Sequence, residues 1–288
     1  MVRSGMSPDP LIVNLAPTGM VPTKDLTPHV PVTVEEILTD VERCCALGAS
    51  IVHLHARDEQ GRPTHRAEYF APLVEGVRAI DPELVVCVTC SGRYVTSLDE
   101  RAEVLDLDGA AKPDMASLTL GSNNFITTPS VNPPEVIRGL AERMRERGVV
   151  PELEVFEPGM LAFGRHLARE ALVGEDCYVN ILLGNLGTSP LSPASLAGFL
   201  AEMPERWTWA LAGIGRFQLD ASTMAIAAGG HVRVGIEDNV WFDRARKVHA
   251  TNAALVSRVA AIAELAERPL ATPAEARARL GLHGTASG

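Results

Sequence analysis

Basic charge is in deficit: 26 lysines and arginines stand against 36 aspartates and glutamates in 288 residues, a formal net charge of −10. The summed field of such a chain repels a phosphate backbone, which argues against nucleic acid as a partner. Cysteine is sparse and odd in number, five in all: Cys44, Cys45, Cys87, Cys90 and Cys177. A chain this long needs no disulfide staples, and an unpaired count suits a reducing compartment, so a cytoplasmic location is expected. Cys87 and Cys90 form a CxxC with no second pair, and Cys87 falls inside an apolar β run, which argues against a zinc or redox centre there. No apolar run reaches membrane-spanning length, so no membrane association is expected. Residues 1–10, read as an N-terminal extension, lack the apolar stretch of a secretion signal.

No linker divides the remainder, so residues 11–288 are read as one domain with a C-terminal helical tail. The composition, 46% hydrophobic and 22% charged, is that of a packed globular protein. A chain of this length buries about three quarters of its unfolded-state surface on folding. One pattern recurs along it: a short apolar run rich in Val, Ile or Leu, then a longer helical stretch. The predicted strands are residues 11–16, 50–56, 84–89, 115–120, 152–156, 178–183, 208–212 and 231–236. Thr33-Val-Glu-Glu36 is a capping-box pattern opening a helix that Gly48 ends. Further helices are expected near Asn132-Pro-Pro-Glu135, Ser192-Pro193 and Asp220. A long one is expected over residues 241–266, and a capped tail helix near Thr272-Pro-Ala-Glu275. Eight alternating units predict a (β/α)8 barrel. An open doubly wound sheet usually carries a glycine fingerprint after its first strand, where this chain reads Ala16-Pro-Thr-Gly-Met20.

Barrel active sites lie at the C-terminal ends of the strands. The second predicted strand ends in His53-Leu-His55, and strand alternation turns both imidazoles to one face. The eighth runs into Gly235-Ile-Glu237-Asp238-Asn239, and barrel closure sets it one strand away from His53 and His55. Two imidazoles and Glu237, with a position left open, form the donor set of a catalytic zinc; iron or manganese also fits. Arg233 shares the alternation of Glu237 and is placed to orient Asp238 as a general base, although a barrel-closing ion pair reads the same way. Gly213, Gly215 and Arg216 follow strand seven, where loop amides bind phosphate in many barrels, and turn formation also explains the glycines. Thr89, Gly92 and Ser117 offer donors for a substrate carboxylate, or ordinary turn chemistry. Glu152 and Glu154 share one face of strand five, with Glu154 expected to face the site unless the pair points outward. His29, His65, His166, His231, His249 and His283 carry no such pattern. A histidine-rich amidohydrolase and a non-catalytic binding barrel are the rival classes.

Val32-Thr-Val-Glu-Glu36, Gly48-Ala49 with His53-Leu-His-Ala-Arg-Asp58, Pro151-Glu-Leu-Glu154, Ala212-Gly-Ile-Gly-Arg216 and Gly229-Gly-His-Val-Arg-Val-Gly-Ile-Glu-Asp-Asn239 occur in one order. Together they resemble the β-keto acid cleavage enzymes, best known for 3-keto-5-aminohexanoate cleavage, from about Leu11 to Leu280. The resemblance implies a zinc-binding (β/α)8 barrel that exchanges a β-keto acid with acetyl-CoA, giving acetoacetate and a new acyl-CoA, and a homo-oligomer, a tetramer. By position it makes His53, His55 and Glu237 the metal ligands and Asp238, oriented by Arg233, the base. It puts Thr89, Gly92 and Ser117 around the substrate carboxylate. In the founding activity the loop after the first strand carries an acid that holds the substrate's ammonium; the matching position here is Val21. A neutral or anionic β-keto acid is therefore expected, with Arg93 available to a second carboxylate.

Overall fold

The computed structural model describes residues 9–282. His283 and most of the N-terminal extension lie outside the described residues. Eight parallel strands close into a barrel: β1 (Val13–Leu15), β2 (Ile51–Leu54), β3 (Val85–Val88), β4 (Met115–Thr119), β5 (Val150–Val155), β6 (Tyr178–Leu183), β7 (Thr208–Gly213) and β8 (His231–Val234). Each neighbours the next in sequence, and β8 closes on β1 with Asn14 opposite Arg233. All eight lie where the apolar runs predict them, mostly shorter by a residue or two at the ends.

The outer layer is α1 (Val34–Ala46), α2 (Ala67–Ile80), α3 (Leu98–Ala102), α4 (Pro134–Arg147), α5 (Pro158–Arg169), α6 (Pro193–Glu202), α7 (Gln218–Ala227) and α8 (Asn252–Leu265), with α9 (Pro273–Arg279) as the tail. The Thr33 and Glu36 side chains form the predicted capping box on α1. A second box, Thr272 with Glu275, starts α9. The helix expected over residues 241–266 is half that length. Asp243 Oδ1 accepts the Lys247 and Val248 amides, 2.9 and 2.8 Å away, and Arg246 takes a positive φ of 56°. These local bonds satisfy the backbone as a loop, and the helix begins only where Thr251 caps it. α7 starts at Gln218, two residues before Asp220.

Two apolar layers result. One fills the space between strands and helices. The other, including Ile12, Ile51, Val85, Met115 and Tyr178, fills the lower barrel interior and is closed from below by Ala276 of α9 and by Leu280, which follows that helix. Side chains further along the same strands are polar, so the barrel is oily at its base and charged towards its mouth.

At the base, His231 is 4% exposed and its Nδ1 accepts the Ile12 amide at 3.0 Å. Burial, with Arg268 and Arg279 nearby, lowers its pKa to about 3. In the unfolded chain the imidazole takes a proton near its ordinary 6.5, so the unfolded state gains protons first as pH falls. Stability from this group is whole above pH 6.5 and drains by about 1.4 kcal/mol per pH unit down to about pH 3. In urea titrations between pH 7 and 4, His231→Gln is expected to lose less stability on acidification than the wild type. Parallel slopes would refute this.

Candidate active site

A cavity of about 350 Å³ opens at the C-terminal ends of the strands. His53, His55, Thr89, Arg93, Glu154, Arg233, Glu237 and Asp238 all line it. Its floor is a charge cluster around Arg233, whose side chain is 1% exposed. The guanidinium lies 2.7 Å from Glu237, 3.0 Å from Glu154, 3.2 Å from Asp238 and 3.9 Å from Glu152. Both glutamates of β5 thus point inward. One buried cation faces four carboxylates, which leaves net negative charge where desolvation makes it costly.

Each carboxylate has its own setting. Glu154 is held at both oxygens, by Thr119 Oγ1 at 2.7 Å and Arg233 at 3.0 Å. Glu152 accepts Asn14 Nδ2 at 2.7 Å and lies 2.6 Å from His53 Nδ1. That contact keeps a proton on Nδ1 and leaves Nε2 facing His55 and the cavity. Glu237 Oε1 lies 3.2 Å from His55 Nε2 and accepts Arg233 Nη2, while Oε2 is buried without a partner among the described residues. Burial opposes ionisation of Glu237, but His55 and Arg233 beside it hold its pKa well below the usual carboxylate range. Asp238 goes the other way: burial and its neighbour Glu237 raise its pKa despite Arg233, which donates Nε to Oδ2 at 3.2 Å.

Backbone geometry brings Asp238 to the mouth. β8 ends at Val234, and residues 235–239 form a turn in which the Asp238 and Asn239 amides both donate to the Gly235 carbonyl. A Cβ on Gly235 would stand 1.9 Å from the Ala16 carbonyl oxygen, so the turn packs against β1 only with glycine there. Gly19, at φ 68°, passes directly over Glu237 for the same reason. Arg57, in the His-Leu-His-Ala-Arg stretch, holds that loop over the site through the Gly19, Met20 and Pro22 carbonyls.

His53, His55 and Glu237 each offer a donor atom, all within 4.8 Å of one another. The two Nε2 atoms face each other at 3.2 Å, and burial lowers the His55 pKa against the pull of Glu237, which favours the neutral imidazole. Burial also opposes charge on His53, but Glu152 draws its pKa above the ordinary value: a fixed anionic pocket concentrates positive charge at this point. These three donors fit a divalent cation, which would meet a Glu237 oxygen that has no partner among the described residues and would offset the carboxylate excess. A second group, His53, Cys87 and Glu152, also clusters. It uses the Nδ1 side of His53 already bonded to Glu152, and burial pushes the Cys87 thiol well above its ordinary pKa. It supports His53 from behind.

The substrate-binding candidates separate. Thr89 and Arg93 line the cavity, as does Ser91 between them. Ser117 lies behind it, accepting the Cys90 amide at 3.0 Å and so shaping the turn. Gly92 is where the Val131 carbonyl crosses; a Cβ there would lie 2.4 Å from it. Neither Gly213, Gly215 nor Arg216 lines the cavity, though Ile214 does. The Gly215 amide is committed to the Asp238 carbonyl at 2.7 Å, so it is not free to cradle a phosphate. Arg216 is exposed and packs on Phe217.

Several contributors carry little sequence signal. Asn14, which bonds Glu152, is a lone polar residue in an otherwise apolar strand, and that is its signal. Phe125 and Asn185 sit on loops brought together by the Asn185 Nδ2 bond to the Asn124 carbonyl, a contact spanning 61 residues.

A family profile described as beta-keto acid cleavage enzyme matches residues 10–282. The chain is 37% identical to a 3-oxoadipate:acetyl-CoA acetyltransferase of Cupriavidus necator, over 95% of each protein. It is 36% identical to a 3-keto-5-aminohexanoate cleavage enzyme of Fusobacterium nucleatum, over 94% of this chain and 98% of that one. Among solved structures, a ternary complex of ObcA with a C4-CoA adduct and oxalate superposes with a TM-score of 0.77 at 20% identity, covering 88% of this chain and 68% of that one. The last comparison supports the barrel alone. With a match over nearly its whole length and relatives above 35% identity, this chain belongs to the beta-keto acid cleavage enzyme family.

Proposed function

We propose that this protein exchanges a β-keto acid with acetyl-CoA, giving acetoacetate and a new acyl-CoA, at a divalent metal held by His53, His55 and Glu237, with zinc the first choice. The observation that carries the reading is the convergence of those three donors beside Asp238, an aspartate of raised proton affinity tied to the same arginine. The curated relatives, named for acetyl-CoA transfer and β-keto acid cleavage, support the same chemistry. A metal bound here supplies Lewis-acid polarisation of the substrate's keto oxygen, which acidifies the C2 protons.

Asp238 then takes a C2 proton. Its raised pKa makes it a stronger base than a solvated aspartate, and Arg233 fixes the carboxylate's orientation. The C2 carbanion attacks the thioester carbonyl of acetyl-CoA and expels CoA as thiolate. The thiolate adds to the former keto carbon, the C2–C3 bond breaks to leave the new acyl-CoA, and C2 takes back the proton held by Asp238 as acetoacetate is released. Thr89 and Ser91 hold the carboxylate common to all β-keto acids. Glu154, bonded at both oxygens, keeps Arg233 in place. The cavity accommodates a short keto acid and the acetyl end of CoA, so the remainder of CoA lies outside, where Arg216 is available to its phosphates. Val21 lines the cavity at the position where an ammonium-binding acid is expected, so an amino-bearing substrate finds no counter-charge there. The amidohydrolase reading weakens, since β5 and β6 present Glu152, Glu154 and Asn180 and no further imidazole. Homotetramer and cytoplasmic location rest on the resemblance and the cysteine count.

Mass spectrometry of acetoacetate and acyl-CoA, from zinc-loaded protein with acetyl-CoA and a panel of neutral, cationic and dicarboxylic β-keto acids, tests the reading. Turnover is expected, with a loss of at least 100-fold in His53→Ala or after chelation. Absence of turnover across the panel with metal bound would overturn it.

A further inference from the structure

We infer that Arg93 binds a second carboxylate, which makes the preferred substrate a β-keto dicarboxylate. The inference rests on the proposed exchange reaction. Arg93 lines the cavity, and its guanidinium lies 4.0 Å from the Phe125 ring centroid. Nε donates to Thr128 Oγ1 at 3.2 Å; neither terminal nitrogen has a hydrogen-bond or ion-pair partner among the described residues. This contrasts with Arg233 in the same cavity, which meets four carboxylates. A half-buried guanidinium has lost part of its hydration and stays charged, so it is short of an anion that the described residues do not supply. Stacking on Phe125 and the Thr128 bond hold the planar fork ready for bidentate recognition of a carboxylate at little further entropy cost.

The carboxylate shared by all β-keto acids does not require this arginine, because Thr89 and Ser91 offer neutral donors in the same wall. An ammonium group is disfavoured twice, by the cation at residue 93 and by the apolar Val21. The remaining ligand chemistry is a substrate with anions at both ends, the keto group between them directed to the metal donors.

The test compares kcat/KM for 3-oxoadipate with that for 3-oxohexanoate, an acid of the same chain length without the second carboxylate, in the wild type, Arg93→Met and Arg93→Lys. The wild type is expected to favour 3-oxoadipate by at least tenfold. Arg93→Met is expected to cut that ratio by about 10- to 100-fold, mainly through KM, with Arg93→Lys in between. Calorimetric binding of 3-oxoadipate to zinc-loaded protein without acetyl-CoA is expected to weaken in the same order. Equal losses on both acids would place Arg93 at the shared carboxylate or in the fold, and no loss would leave it idle; either overturns the inference. If neither acid turns over yet 3-oxoadipate binding depends on Arg93, the exchange reaction falls and the subsite stands.

Discussion

Replacing Arg233 with methionine is expected to cost about 3–5 kcal/mol of folding stability, the usual penalty for stranding buried charge. At this chain length that corresponds to a fall in Tm on the order of 10 °C. The size follows from the count of partners: Glu152, Glu154, Glu237 and Asp238 all lie within 3.9 Å of the guanidinium, in a site closed to water on its lower side. Methionine fills the space of the side chain stem and returns none of the charge. Saturating zinc should recover part of the loss, because a cation on His53, His55 and Glu237 also offsets the carboxylates. Thermal unfolding of the metal-free and zinc-loaded variants measures both effects. A metal-free variant within 1 kcal/mol of the wild type, an order of magnitude suited to a surface ion pair, would show that the cluster sheds its charge by protonation.

Asp238→Asn should do the converse, leaving the fold and removing the chemistry. Asparagine keeps the shape and still offers an oxygen to Arg233 Nε, but it cannot take a proton. A loss of about 10²–10⁴ in kcat is expected for removal of a positioned base. Zinc content, measured by elemental analysis, should match the wild type, since the donors are His53, His55 and Glu237. Retention of more than a tenth of the wild-type kcat with full zinc loading would assign proton abstraction to another group.

The barrel was legible because its determinants are local and repetitive. Eight apolar runs such as residues 178–183, each followed by a helix with its own start signal, leave few architectures open. Strand alternation also carried His53 and His55 to one face, since the period of two is a property of the extended backbone. The helix expected over residues 241–266 failed for an equally local reason that hydrophobic periodicity does not register: the Asp243 carboxylate caps two amides and stabilises a loop.

Glycines and hydroxyls after strands were the least informative positions. Gly92 and Gly213 serve close backbone approaches, to Val131 and Phe217, and Ser117 serves a turn. A phosphate cradle and a tight turn demand the same residue types, so only the partner of each amide separates them, and the Gly215 amide is taken by Asp238.

From sequence alone came the barrel, the inward pair of histidines and the acidic turn after the last strand, because periodicity and strand order suffice to place them. Tertiary structure decided the rest: that Glu152 sets the tautomer of His53, that four carboxylates share one arginine, and that Arg93 stands without a counter-ion among the described residues. Those relations join residues as much as 99 positions apart, as in the contact of His53 with Glu152. Charge balance in a buried site is a sum over all such neighbours, and no stretch of the chain contains that sum.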